Sequence, residues 1–86
     1  MIKEKSSYAD DLPVNIRVAE IEEYPLHFHQ DVEFVYVLKG EVNVKCGYFT
    51  YRITEGNVFT INGREVHGIY RTELPNITAL IQIDNY

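Results

Sequence analysis

From Val14 onward the apolar residues come in short alternating runs, interrupted at roughly eight- to twelve-residue spacing by turn-forming residues. This feature constrains the fold most, because an amphipathic helix needs an apolar period of 3.6, whereas strict alternation builds a half-buried strand. The runs are Val14–Glu23, Leu26–His29, Glu33–Leu38, Glu41–Lys45, Phe49–Thr54, Val58–Ile61, His67–Arg71 and Thr78–Ile83. Between them lie Gln30-Asp31, Lys39-Gly40, Cys46-Gly47, Glu55-Gly56-Asn57, Asn62-Gly63 and Leu74-Pro75-Asn76. The pattern predicts an all-β sandwich or barrel of about eight to ten strands with at most one short helix.

Two of the turns have a specific mechanism. Asn62-Gly63 is able to take the positive φ angles that a tight reversal demands. Cys46-Gly47 is short enough to close a hairpin between Val42-Asn43-Val44 and Phe49-Thr50-Tyr51. In the first of those strands Val42 and Val44 share one face while Glu41, Asn43 and Lys45 share the other, which predicts one buried side and one wet side. Ile16, Val18, Ala19 and Ile21 fit neither period cleanly, so a short helix is an alternative there.

At 86 residues the chain is one domain, burying about 60–65% of the surface it exposes when unfolded. Residues 1–13 are mostly charged or polar and end on a proline. They read as a flexible lead-in or edge arm, leaving residues 14–86 for the barrel. The 13 acidic and 8 basic residues give a net charge of −5 with no Lys/Arg cluster, and an acidic surface repels phosphate. The chain alone is therefore not expected to bind DNA. Cys46 is the single cysteine, so no internal disulfide forms; it reads as a small apolar filler near a turn, in keeping with a reducing compartment. No membrane-spanning run or signal-peptide pattern is present, which makes the cytoplasm the expected location.

All three histidines belong to one arrangement. His27-Phe28-His29 places two imidazoles at i and i+2, on the same face of an extended strand. Glu33 follows, then Gly40, and His67 arrives after the stretch Gly56–Gly63. Three imidazoles and one carboxylate brought together form a nitrogen/oxygen site suited to Zn, Fe, Mn or Ni. The same residues also serve as a polar pocket without metal, in which Glu33 is held by a histidine or by backbone donors.

The run His27-x-His29-x3-Glu33-x6-Gly40 resembles the first cupin motif, and Gly56-x5-Asn62-x4-His67 resembles the second. The resemblance extends over roughly residues 14 to 84 and implies a cupin double-stranded β-helix, a jelly-roll barrel, as a single domain. Departures fall at loop-shaping positions: Ile21 stands where the first motif has a glycine, Asn62 where the second has a proline, and Arg71 where it closes on asparagine. Tyr24 to Gly40, Glu55 to Asn62 and Glu65-Val66-His67 are similar to the N-terminal domain of AraC/XylS-type transcription regulators. That resemblance implies a domain sensing a small molecule, a sugar or related metabolite, with promoter binding assigned to a C-terminal helix-turn-helix pair. No such pair, basic face or recognition helix appears in this chain.

The expected pocket residues are His27, His29, Glu33, Tyr36, Tyr51 and His67, with His27, His29, Glu33 and His67 as the metal set. Tyr36 and Tyr51 are either stacking platforms for an effector or ordinary packing groups of the sheet. Arg52, Arg64, Arg71 and the group Glu20, Glu22, Glu23 read as solvated charges. No cofactor is required for sensing, no membrane contact is expected, and a homodimer is a candidate assembly. The alternative function is a small metal-dependent cupin enzyme using the three-His/one-Glu set.

Overall fold

The computed structural model describes residues 14–27 and 31–83. The expected arm at residues 1–13, His29 and residues 84–86 lie outside the described residues. Among the described residues six strands follow in order: β1 (Val14–Ala19), β2 (Glu23–His27), β3 (Val32–Cys46), β4 (Phe49–Thr54), β5 (Val58–Ile61) and β6 (His67–Ile83). All pairings are antiparallel, and no helix occurs among the described residues.

Fewer strands appear than the alternation predicts, because β3 and β6 each merge two expected runs. Lys39-Gly40 and Leu74-Pro75-Asn76 are bends within continuing strands, not breaks. β6 pairs with almost the whole length of β3, from Val32↔Ile83 to Cys46↔His67. The first half of β3 also pairs with β5, and the second half with β4. β1 adds to the far half of β6 and β2 to the near half.

Each long strand thereby contributes to two four-stranded layers, β1-β6-β3-β5 and β2-β6-β3-β4. The layers must fold over each other. Thirteen residues separate Glu33 from Cys46, about 43 Å along a straight strand. Yet Glu33 touches His67, the ladder partner of Cys46. Only doubling back at the middle of β3 permits that contact.

Gly40 makes the bend. Its φ is 75°, and a Cβ there would lie 2.0 Å from the Pro75 carbonyl oxygen, so the two bends cross with room for glycine alone. Register shifts flank it, between Val37 and Lys39 and between Gly40 and Val42. Their effect is read from burial: Glu33, Val35 and Val37 point inward before the bend, Val42 and Val44 after it. A shift of register flips a strand's faces, and here it keeps the apolar set inside through the fold.

The core fills the space between the layers. Val35, Val37, Ile61 and Leu80 come from the first layer, Val42, Val44, Ile53 and Ile69 from the second, and Ile21 from the β1–β2 connection. Asn76, buried at the β6 bend, holds that connection. Its Nδ2 donates to the Ile21 carbonyl (2.9 Å), and its Oδ1 accepts from the Ile21 N–H (3.1 Å) and the Thr78 hydroxyl (2.8 Å).

The turns resolve unevenly against expectation. Gly47 closes the β3–β4 hairpin at φ 63°, matching the need for glycine at the first central position of a type II′ turn. After β5, the left-handed residue is Arg64 (φ 73°), not Asn62 or Gly63. Val14–Ala19 is a strand and not a helix; it escapes both periods because, as an edge strand with mostly exposed side chains, it carries no buried stripe.

Candidate functional site

The ladders fix rows of residues across each layer. In the second layer one row runs His27, His67, Cys46, Phe49; in the first, a row runs Asn15, Gln82, Glu33, Ile61. These two rows meet across the sandwich at Glu33 and His67. His67 Nε2 lies 2.8 Å from Glu33 Oε1, and both side chains are wholly buried.

The other ring nitrogen fixes the protonation. His67 Nδ1 lies 2.9 Å from the Glu65 carbonyl oxygen. A carbonyl only accepts, so Nδ1 carries hydrogen and Nε2 faces the carboxylate. One further proton is then shared along the Nε2–Oε1 line. Burial acts most strongly on the imidazole and pulls its pKa down, but the Glu33 hydrogen bond, the Glu65 carbonyl and the charges of Glu33 and Glu65 together raise it above 6.5. The imidazole therefore holds its proton more tightly in this contact than it does free in water. The loop that supplies the Glu65 carbonyl is pinned in turn, the Asn62 N–H donating to Glu65 Oε1 (3.2 Å) and the Gly47 N–H to the Val66 carbonyl (3.2 Å).

Of the residues expected in the site, Glu33 and His67 are brought into contact. His27 is the ladder partner of His67 on β2, while its side chain, like all of His29, lies outside the described residues. Tyr51 lies on β4 at a sheet edge, in the inward row of Val44, with its ring against Phe59 across the sandwich (centroids 4.9 Å apart). Tyr36 sits on the outward face between the inward Val35 and Val37, and the structure does not bring it to Glu33.

Three further features carry no local sequence signal. Cys46 is the ladder partner of His67 from β3, and burial together with the Glu65 carboxylate pushes its thiol pKa up, so the group is a neutral thiol. Glu65, two residues before His67, was legible only as part of a motif-like run. On the other side of the interior, Arg17 lies over the Tyr24 ring (5.6 Å to the centroid) and donates to its hydroxyl (3.3 Å). There a cavity of about 140 Å³ is lined by Arg17, Ala19, Ile21, Tyr24 and Leu80, with Glu20, Glu22 and Glu23 at its edge. Arg71 is bound by this acidic edge, 2.6 Å from Glu22 and 3.9 Å from Glu20.

The donor chemistry at Glu33 and His67 suits a divalent metal. A ligating imidazole commonly gives its second N–H to a carbonyl, as His67 does to Glu65. Among the described residues, however, no cluster of three or more His, Cys, Asp or Glu side chains is poised to hold an ion. A metal would need Glu33 and His67 together with His27 or His29.

Comparison with known proteins agrees with this architecture. The protein of unknown function SPY1581 from Streptococcus pyogenes superposes with a TM-score of 0.79 at 21% identity, over 86% of this chain and 67% of that one. An RmlC-like cupin from Shewanella frigidimarina gives 0.75 at 18% identity, over 85% and 68%. Oxalate decarboxylase from Bacillus subtilis, a protein with Mn(II) centres, gives 0.78 at 19% identity, over 87% of this chain but 22% of that enzyme. At such identities the likeness establishes the fold, a cupin jelly roll. No curated protein matches the sequence. The profile of the AraC-like ligand binding domain matches residues 19–77, which is most of the chain, and the chain therefore belongs to that family.

Proposed function

We propose that this domain senses a small polar metabolite, of sugar or related type, at the end of the sandwich marked by Glu33 and His67, as the effector-binding part of a transcription regulator. The observation that carries this reading is the buried Glu33–His67 hydrogen bond joining the two layers. For stability alone, apolar side chains of similar volume serve as well or better, since desolvating two charges costs several kcal/mol. A polar effector offering hydroxyl or carboxyl groups competes for the same donors and changes how the layers are tied. In this reading DNA is contacted by a separate helix-turn-helix unit, since the chain is acidic.

A second reading is favoured by one observation, the Glu65 carbonyl that orients His67 Nε2 toward Glu33. It makes the domain a metal-dependent cupin enzyme, with His27, His29, Glu33 and His67 as ligands and the metal acting as Lewis acid.

A thermal-shift screen of sugars, polyols, organic acids and divalent metals distinguishes the two. A ligand at a hundred times its Kd adds about 2.7 kcal/mol to native-state stability. Sensing requires a metabolite that raises Tm without metal and loses its effect in Glu33→Gln. A response to divalent metal alone, abolished by His67→Gln, selects the enzyme. If no compound raises Tm, or if the effect survives both substitutions, the site lies elsewhere.

A further inference from the structure

The two open edges of the sandwich are closed in different ways. A ladder row of the first layer runs Arg17, Leu80, Val35, Phe59, and one of the second runs Tyr24, Ile69, Val44, Tyr51. The four middle residues belong to the core, and the outer four meet across the sandwich. At the β4–β5 edge two rings meet, Tyr51 against Phe59. At the β1–β2 edge a cation takes the place of one ring. The Arg17 guanidinium lies 5.6 Å from the centre of the Tyr24 ring, and its Nη2 donates to the Tyr24 hydroxyl over 3.3 Å. Two rings close an edge without any charge, as the other end shows. What a guanidinium adds is a fixed fork of N–H donors.

Arg17 also lines the cavity of about 140 Å³, whose apolar wall is Ala19, Ile21 and Leu80. Glu20, Glu22 and Glu23 stand at the same opening, yet among the described residues no carboxylate pairs with Arg17. Arg71 takes two of them instead, Glu22 at 2.6 Å and Glu20 at 3.9 Å. One small opening thus offers unused guanidinium donors, an apolar wall and carboxylate oxygens.

We propose that this cavity binds a small zwitterion, an α-amino acid with a short apolar side chain. Its carboxylate sits on Arg17, its side chain against Ile21 and Leu80, and its ammonium at Glu20 and Glu23. Charge selects this class. A simple carboxylate would face the glutamates and a simple amine would face Arg17, whereas a molecule carrying both groups complements both. Size limits the side chain, since a cavity of about 150 Å³ takes a benzene-sized body of roughly six non-hydrogen atoms. The site is separate from the one at Glu33 and His67. In the first layer Arg17 and Glu33 stand two strands and two residues apart, about 12 Å at the backbone, with Leu80 and Val35 buried between them. A charge turned inward on an edge strand also discourages edge-to-edge pairing. Lysine serves that purpose equally, but it lacks the fork that grips a carboxylate.

Isothermal titration calorimetry of the full chain with L-valine tests this, alongside isovalerate, which lacks the amine, and isobutylamine, which lacks the carboxylate. The expected Kd for L-valine is below about 1 mM, with each analogue at least about tenfold weaker. Arg17→Lys should weaken L-valine at least about tenfold. Glu20→Gln combined with Glu23→Gln should weaken L-valine but not isovalerate. Glu33→Gln should leave the L-valine Kd within about twofold, so this site and the one at Glu33 stand or fall separately. Arg17 is exposed on an edge strand, and far-UV circular dichroism checks the folding of each variant. Should Arg17→Lys fail to fold, the glutamate pair carries the test by itself. No binding of L-valine or L-alanine up to about 10 mM, tenfold beyond the expected Kd, overturns the proposal. So does isovalerate binding as tightly as L-valine, or an L-valine Kd unchanged in Arg17→Lys.

Discussion

His67 Nε2 and Glu33 Oε1 stand 2.8 Å apart with both side chains closed to solvent, and theirs is a contact between the two layers, not within one. Each residue is reached by a different half of the long β3–β6 ladder, so the pair reports whether the sheet has folded over. Four predictions start from this pair and from the bends that allow it.

Removing one partner takes this buried contact away from the other. Glu33→Ala is expected to destabilise the domain by about 3–5 kcal/mol, a large part of what a chain of this size holds. The paired replacement Glu33→Met with His67→Leu should recover most of that loss, because it removes both charges and restores apolar volume. Urea denaturation of the two variants checks this. A double variant no more stable than the single one would show that the pair is worth more than its burial costs.

Stability should depend on pH through His67. Its folded pKa is raised above 6.5, so the folded state holds the proton more tightly than the unfolded chain. The stabilisation is present in full below pH 6.5 and is lost as pH rises through the folded pKa. Melting temperature measured across this window should therefore fall with rising pH, and His67→Gln should flatten the slope. A wild-type slope of opposite sign would mean that burial outweighs Glu33 and the Glu65 carbonyl.

Glycines with the same backbone conformation should respond differently to alanine. Gly40 and Gly56 both have positive φ, 75° and 84°, which costs an L-residue about 1–2 kcal/mol. A Cβ at Gly56 meets nothing within 4 Å, whereas at Gly40 it runs into the Pro75 backbone. Gly56→Ala is expected to cost about 1 kcal/mol and Gly40→Ala about 3 kcal/mol or more, because β3 and β6 must move apart at the bend. Equal costs in chemical denaturation would contradict the close crossing.

Much of this architecture is legible in the chain. The alternation of Val42 and Val44 against Glu41, Asn43 and Lys45 gives the inside and outside of the second layer, and Cys46-Gly47 gives its hairpin. What cannot be read is continuity through a bend. Lys39-Gly40 and Leu74-Pro75-Asn76 carry the residues of a turn, yet the ladder continues past them, since the partner strand bends at the same place. Of the site, Glu33 and His67 stand out by residue type and spacing. Tyr36 does not reach them because period two sends it outward between Val35 and Val37. Asn76 carries the signature of a turn residue; its interior role depends on Ile21, 55 positions away, and no local pattern encodes a contact of that range.

Asn76 is the subject of the last prediction. Its amide imitates a strand, accepting from the Ile21 N–H and donating to the Ile21 carbonyl, while the Thr78 hydroxyl adds a third bond. Asn76→Ala would leave those Ile21 backbone groups and that hydroxyl buried without these partners. An unsatisfied buried group costs about 1–3 kcal/mol, so a loss of about 2–4 kcal/mol is expected after relaxation. Asn76→Asp tests the donor separately, because it keeps the shape and the acceptor but turns a second oxygen toward the Ile21 carbonyl. It should cost at least as much near neutral pH and less in acid, where a protonated carboxyl donates again. Denaturant titration measures the totals, and amide exchange at Ile21 localises them: protection there should drop in both variants. If Asn76→Ala changes stability by less than about 0.5 kcal/mol, as a surface substitution would, the amide does not hold the β1–β2 connection against the bend of β6.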